Sequence, residues 1–202
     1  MATIANTAVS PAEYLEFERN SERKHEYRDG EIVEMVGGTR EHSLILGNLM
    51  WILGGTLREK DYEYFQSEMR VKVSETGLYT YPDVVVVRGS SRLEDDHVDT
   101  LLNPTVIFEV LSPSTESYDR GEKFEHYRNI ETLVEYILVS QRHICLERYS
   151  RQDDGRWMLQ DYTSAESVMQ LDTIECAVPI SDVYHKVPLR DERKTEQQAE
   201  GQ

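Results

Sequence analysis

Tyr81-Pro82-Asp83-Val84-Val85-Val86-Val87 and Thr105-Val106-Ile107-Phe108-Glu109-Val110-Leu111-Ser112-Pro113-Ser114-Thr115 decide how this chain is read. Both are β-branched, apolar runs, the pattern of strands covered on two faces. Each holds a single carboxylate, Asp83 and Glu109, where such a strand should not want one. An unpaired carboxylate taken out of water costs on the order of several kcal/mol, so each predicts a cation, a held proton or an opening to water. Two acids at neighbouring strand ends would form a divalent-metal site. A salt-bridged or solvent-exposed pair at strand ends is the other reading.

Before this pair, Tyr62–Val73 alternates apolar and polar residues and reads as a strand. Ser74-Glu75-Thr76-Gly77 turns it back into Tyr79–Val87, giving an antiparallel hairpin in which Pro82 removes one ladder donor. Gln66 and Glu68 on the first arm are further site candidates, although both also read as ordinary outward-facing residues. Ser90–Asn103 is polar and acidic and reads as a loop with room for a helical turn. After the Glu109 strand, Pro113 stops the ladder. Tyr118–Asn129 reads as a helix with Asp119, Lys123 and Tyr127 on one face, and Thr132–Ser140 as another buried strand. Strand, helix, strand in that order predicts a right-handed crossover between parallel strands.

Further out, Ser10-Pro11-Ala12-Glu13 is a helix start with N-cap, N1 proline and capping-box glutamate, and that helix runs to Arg19. Lys24–Val36 reads as a hairpin turning at Asp29-Gly30. A long helix follows from Thr39 or Arg40 to Lys60, with His42, Ile45, Leu46, Leu49, Ile52, Leu53 and Leu57 as its apolar stripe. His42 sits on that stripe at the first turn. It reads either as a hydrogen-bonded core histidine or as a site residue at an anion-favouring helix start. His143–Tyr149 and Arg156–Tyr162 pair around Asp153-Asp154-Gly155 as scaffold, Ser167–Val178 adds one or two strands, and Val178–Tyr184 closes the domain.

The 202 residues suit one domain spanning 10–187, with a flexible segment at 1–9 and a disordered polar tail at 188–202. Met1–Ser10 has no basic region followed by an apolar one, and no apolar run reaches the ~20 residues of a membrane span. Cys145 and Cys176, the two cysteines, form no CxxC pair and read as reduced thiols, so a cytoplasmic location is expected. The formal net charge of -16 opposes long-range attraction to nucleic acid, whose affinity rests largely on Lys and Arg. It leaves room for a local basic groove.

The chain resembles the PD-(D/E)XK nuclease superfamily and, within it, the family of restriction endonucleases sometimes called Uma-two. The likeness runs through His25-Glu26-Tyr27-Arg28-Asp29-Gly30-Glu31, His42, Tyr81-Pro82-Asp83 and Phe108–Thr115. It continues through Lys123 with Tyr127 and Val134-Glu135-Tyr136-Ile137-Leu138-Val139, covering about residues 10–187. The resemblance implies an α/β restriction-endonuclease-like fold: a mixed central sheet flanked by helices, with an added N-terminal hairpin and added C-terminal strands. It implies Asp83 and Glu109 as metal-binding acids, with the backbone carbonyl of Val110 as a further ligand. Mg²⁺ is the implied cofactor, with Mn²⁺ as a substitute, and DNA the implied substrate. One Mg²⁺ held by two carboxylates can polarise a phosphoryl oxygen and activate a water, which phosphodiester hydrolysis needs.

The superfamily pattern places a lysine two positions after the glutamate, where this chain has Leu111. Lys123 can supply the ammonium from the following helix, or it is a surface lysine paired with Asp119. The catalytic set expected is therefore Asp83, Glu109, Lys123 and His42. A Mg²⁺-dependent DNA endonuclease, a non-catalytic partner-binding module on the same scaffold, and a hydrolase of another phosphoester all fit. A second copy of the chain is an expected partner.

Overall fold

The computed structural model describes residues 8–189, so most of both terminal segments expected to lack structure (1–7 and 190–202) lies outside the described residues. Val9 and Leu189, expected within those segments, are held. The Val9 amide donates to the Gly30 carbonyl at 3.0 Å, and Leu189 packs on the larger core.

The element order is α1 (Pro11–Arg19), β1 (His25–Arg28), β2 (Glu31–Glu34), α2 (Arg40–Leu57), β3 (Tyr62–Gln66), β4 (Arg70–Val73), β5 (Leu78–Thr80) and β6 (Val84–Arg88). It continues with β7 (Thr100–Leu101), β8 (Val106–Leu111), α3 (Glu116–Arg120), α4 (Glu122–Tyr127), β9 (Glu135–Ser140), β10 (Leu146–Arg151), β11 (Trp157–Tyr162), β12 (Val168–Leu171), β13 (Cys176–Pro179) and α5 (Ile180–Val183). The fold is mixed α/β. A six-stranded sheet runs β11-β10-β9-β8-β6-β3, a five-stranded sheet runs β2-β1-β5-β4-β7, and β12 pairs with β13.

Local signals explain the starts and turns. Ser10 and Glu13 form the expected capping box on α1, and the Thr39 side chain caps α2 by accepting from the His42 amide. Asp29 and Gly30 both take positive φ, 48° and 85°, the geometry a two-residue hairpin turn demands.

The two acid-bearing runs form central strands, β6 and β8. β8 pairs antiparallel with β6 and parallel with β9, as the crossover predicts. Alternate residues serve two cores. Val84, Val86, Val106, Phe108 and Val110 meet Ile45, Leu49 and Leu53 of α2, whereas Val85, Ile107 and Leu111 meet Tyr127, Leu133 and Tyr136 on the opposite face. Both faces are covered, so no polar alternation survives in the sequence.

Three expectations change. The Tyr62–Val73 and Tyr79–Val87 arms are each two strands, with β3 and β6 in one sheet and β4 and β5 in the other. The second arm breaks where Pro82 has no N–H to donate, and the Ser67 amide takes the Asp83 carbonyl at 3.0 Å across the bend. The Tyr118–Asn129 helix is two short helices, α3 and α4, meeting at Gly121, whose backbone (φ -107°, ψ -97°) is not helical. The loop at 90–103 holds the two-residue strand β7 rather than a helical turn, paired parallel with β4.

Among the described residues no helix is long and apolar enough to cross a membrane. Cys145 and Cys176 are both free.

Candidate active site

The bend at Pro82 brings the two acids together. The last β6–β8 pair is Val84 with Phe108, so Asp83 and Glu109 stand just beyond the ladder. There side chains replace ladder bonds: the Val110 amide donates to Asp83 Oδ2 at 2.7 Å, and the Asp83 amide approaches Glu109 Oε2 at 3.4 Å. Asp83 keeps its other oxygen, Oδ1, 3.0 Å from His42 Nε2. His42 therefore lies against Asp83, at the first turn of α2 that the Thr39 side chain caps.

Lys123 lies within the same cluster. Its Nζ is 2.9 Å from Glu109 Oε1, 3.3 Å from Glu26 Oε1 and 3.6 Å from Asp119 Oδ1, and the residue is only 4% exposed. Both sequence readings of Lys123 hold in part, since it pairs with Asp119 one turn away and also reaches Glu109. It is not a surface lysine. The Tyr127 hydroxyl donates to the same Glu109 oxygen at 3.0 Å. Leu111 is buried against the Tyr127 side of the sheet and supplies no charge. Gln66 is exposed, and Glu68 lies beyond its strand in an exposed pair with Lys24, so neither joins the cluster.

Glu26 is the residue to which sequence reading assigned no role. It is buried on β1, accepts from the Thr80 hydroxyl and faces Lys123. Its position inside His25–Arg28 was visible, but a four-residue hairpin strand does not reveal which face is covered. A second buried network, Arg70 Nη1 to the Tyr81 hydroxyl at 3.0 Å and Tyr81 to Glu18 at 2.9 Å, anchors the residue two before Asp83.

One ammonium thus serves three carboxylates, and the pKa values divide accordingly. Burial pushes the Glu109 carboxyl up; Lys123 opposes this, the charges of Asp83 and Asp119 add to it, and the result is about 8. Burial also raises Asp119. Burial works against the ionised form of Glu26 too, but there Lys123 and the Thr80 hydrogen bond outweigh it and the carboxyl is lowered. Burial disfavours the Lys123 ammonium, yet Glu109, Glu26 and Asp119 hold its pKa well above the ordinary value. For His42, the hydrogen bond and charge of Asp83 outweigh desolvation and raise the pKa.

This gives a pH prediction for the metal-free protein. Between the ordinary carboxyl pKa and about 8, the folded state holds a proton on Glu109 that the unfolded chain has released. The folded state also holds the His42 proton above the ordinary histidine pKa. Both make the native state bind more protons, so stability falls as pH rises, by at most about 1.4 kcal/mol per pH unit for each proton. Melting temperature is expected to decline from pH 5 to pH 8, and Glu109→Gln is expected to flatten the decline. A melting temperature that rises over this range, or an unchanged slope in the variant, contradicts the assignment.

Among the described residues no three His, Cys, Asp or Glu side chains form a ready metal cluster. What converges instead is the Asp83 carboxylate, Glu109 Oε2 with only a 3.4 Å amide contact, and the Val110 backbone on the strand edge that β6 no longer covers. Oxygen donors from one or two carboxylates suit Mg²⁺, which retains several of its waters, better than they suit zinc.

A mixed sheet flanked by helices, with two acids at the ends of adjacent strands and a lysine brought to them from α4, is a restriction-endonuclease-like arrangement. The chain belongs to the Uma2 family, described as "Putative restriction endonuclease", which matches residues 11–181. Two relatives from Synechocystis sp. (strain ATCC 27184 / PCC 6803 / Kazusa) are each 35% identical. "Uncharacterized protein slr1290" matches over 87% of this chain and 91% of its own length, and "Uncharacterized protein sll1609" over 80% and 92%. A crystal structure from Anabaena variabilis ATCC 29413, described as "a putative nuclease belonging to DUF820", shares the fold with a TM-score of 0.73 at 16% identity. It covers 87% of this chain and 97% of its own.

Proposed function

We propose that this chain is a Mg²⁺-dependent endonuclease that hydrolyses DNA phosphodiester bonds, with Mn²⁺ able to replace Mg²⁺. The observation that carries the reading is the meeting of Asp83, Glu109 and the Val110 backbone at one strand end, with the Lys123 ammonium 2.9 Å from Glu109. Asp83, Glu109 and the Val110 carbonyl would hold the ion. When bound, it supplies Lewis-acid polarisation of a phosphoryl oxygen and a water of lowered pKa. His42 orients the Asp83 carboxylate through Oδ1, leaving Oδ2 fixed by the Val110 amide. Lys123 presents a fixed positive charge where a phosphoryl group gains negative charge, and Tyr127 with Glu26 keeps that charge in place.

The test is cleavage of duplex DNA, single-stranded DNA and RNA by the full chain in Mg²⁺ and in Mn²⁺. Cleavage of DNA by wild type, lost in Asp83→Ala, supports the reading. Cleavage of RNA alone moves the substrate to another phosphoester. A wild-type chain that cleaves nothing favours the second reading, a non-catalytic partner-binding module. That alternative draws on the net charge of -16 and on an ammonium already surrounded by three carboxylates.

A further inference from the structure

α2 carries no Asp, Glu, Lys or Arg between Glu41 and Arg58, in a chain of which 30% is charged. A helix that is apolar all round is normally covered all round. Here the six-stranded sheet, β13 and α5 cover most of the helix and one stripe is left open. The open stripe follows helical spacing: Arg40, Leu44, Gly47, Trp51, Gly55 and Arg58. Trp51, at its middle, is 73% exposed. A Cβ added at Gly47 or Gly55 would meet nothing within 4 Å, so each glycine is a notch one turn from the tryptophan.

We propose that a second copy of this chain covers the stripe, with the two α2 helices antiparallel about a two-fold axis. The stripe is complementary to itself in that orientation and no other. Setting Arg40 against the partner's Glu59 also sets Glu41 against the partner's Arg58. The same register lays Leu44 on the partner's Gly55, and Trp51 on the partner's Asn48 beside the partner's Gly47. Arg58 and Glu59 are free to make such pairs, being 81% and 92% exposed with only a 3.8 Å contact between them. Knobs opposite notches and opposite charges at both ends are what fix register and direction in a helix pair. A parallel pair would place Arg40 against the partner's Arg40. The uncharged centre also lets two chains of formal charge -16 approach without repulsion along the seam.

Other occupants fit less well. The segment 190–202 offers Ala199 as its one apolar side chain and cannot fill an apolar seam. Nucleic acid could stack on Trp51, but no cation between Glu41 and Arg58 would neutralise its phosphates. The inference goes beyond the proposed cleavage activity and does not depend on it.

The test is sedimentation equilibrium of the full chain at physiological salt, with melting curves for every variant. Wild type is expected to dimerise with a Kd on the order of micromolar. Trp51→Ala should weaken the dimer about 100-fold and Arg40→Glu about 10-fold, without lowering the monomer's melting temperature. Adding Glu59→Arg to Arg40→Glu should restore the wild-type Kd, because the pair is reversed and not removed. A protein that stays monomeric at about 100 times that Kd overturns the proposal, as does a dimer indifferent to both single variants. Failure of the double variant to recover overturns the antiparallel register. An oligonucleotide that quenches Trp51 fluorescence in competition with self-association would make nucleic acid the occupant.

Discussion

Lys123→Ala is expected to abolish cleavage and, in the same stroke, to destabilise the fold. The loss of rate follows from removing a pre-placed cation beside the reacting group, worth about 10²- to 10³-fold at comparable sites. The loss of stability follows from the burial of the lysine, which a surface lysine paired with Asp119 would not share. Lys123 is 4% exposed and faces Glu26, Glu109 and Asp119. Removing one partner of a buried ion cluster costs about 3–5 kcal/mol, because the remaining charges keep their desolvation penalty.

The two effects separate in a second variant. Lys123→Met combined with Glu26→Gln and Asp119→Asn should recover most of the melting temperature and none of the cleavage. Adding Leu111→Lys to that protein should return part of the activity, since Leu111 is two residues from Glu109 on one strand and therefore on the same face. Full activity in Lys123→Ala would remove this residue from the chemistry.

The second large effect concerns the metal. Calorimetry is expected to show one Mg²⁺ or Mn²⁺ site in wild type and none in Asp83→Ala or Glu109→Ala. Ligand at 100 times its Kd stabilises a folded state by about 2.7 kcal/mol, so Mg²⁺ should raise the wild-type melting temperature and leave both variants unmoved. The variants should differ from one another without metal. Asp83→Ala strips the Val110 amide and His42 of their acceptor and should destabilise by about 1–3 kcal/mol. Glu109→Ala leaves Lys123 with Glu26 and Asp119, and removes the carboxyl that burial, with the charges of Asp83 and Asp119 adding to it, pushes up to about 8. Its metal-free stability should therefore fall less between pH 5 and pH 8 than that of wild type. Equal metal binding by all three proteins would end the two-carboxylate assignment.

The residues legible in advance were those whose chemistry conflicts with their own stretch of sequence. Asp83 and Glu109 stood out because a carboxylate inside a β-branched run has to be explained, and the structure sets them on adjacent strand ends. Lys123 and Tyr127 could be placed on one helix face by spacing alone, and that survives even though the helix is interrupted at Gly121. His42 was ambiguous because both of its readings predict the same place on α2, and only the tertiary structure shows that its hydrogen-bond partner is Asp83, at 3.0 Å. Glu26 was not legible as a site residue, since its partner comes from a helix far along the chain.

Local sequence determined the caps, the hairpin turns, the buried strands and their parallel crossover, because each depends on neighbours within a few residues or on a short repeat of apolar side chains. Tertiary structure decided the division of one apparent hairpin between two sheets, the burial of Lys123 and its three-carboxylate surroundings. It also decided which face of α2 remains open. Those features depend on which distant surfaces meet, and periodicity shows that a face is apolar without showing what covers it.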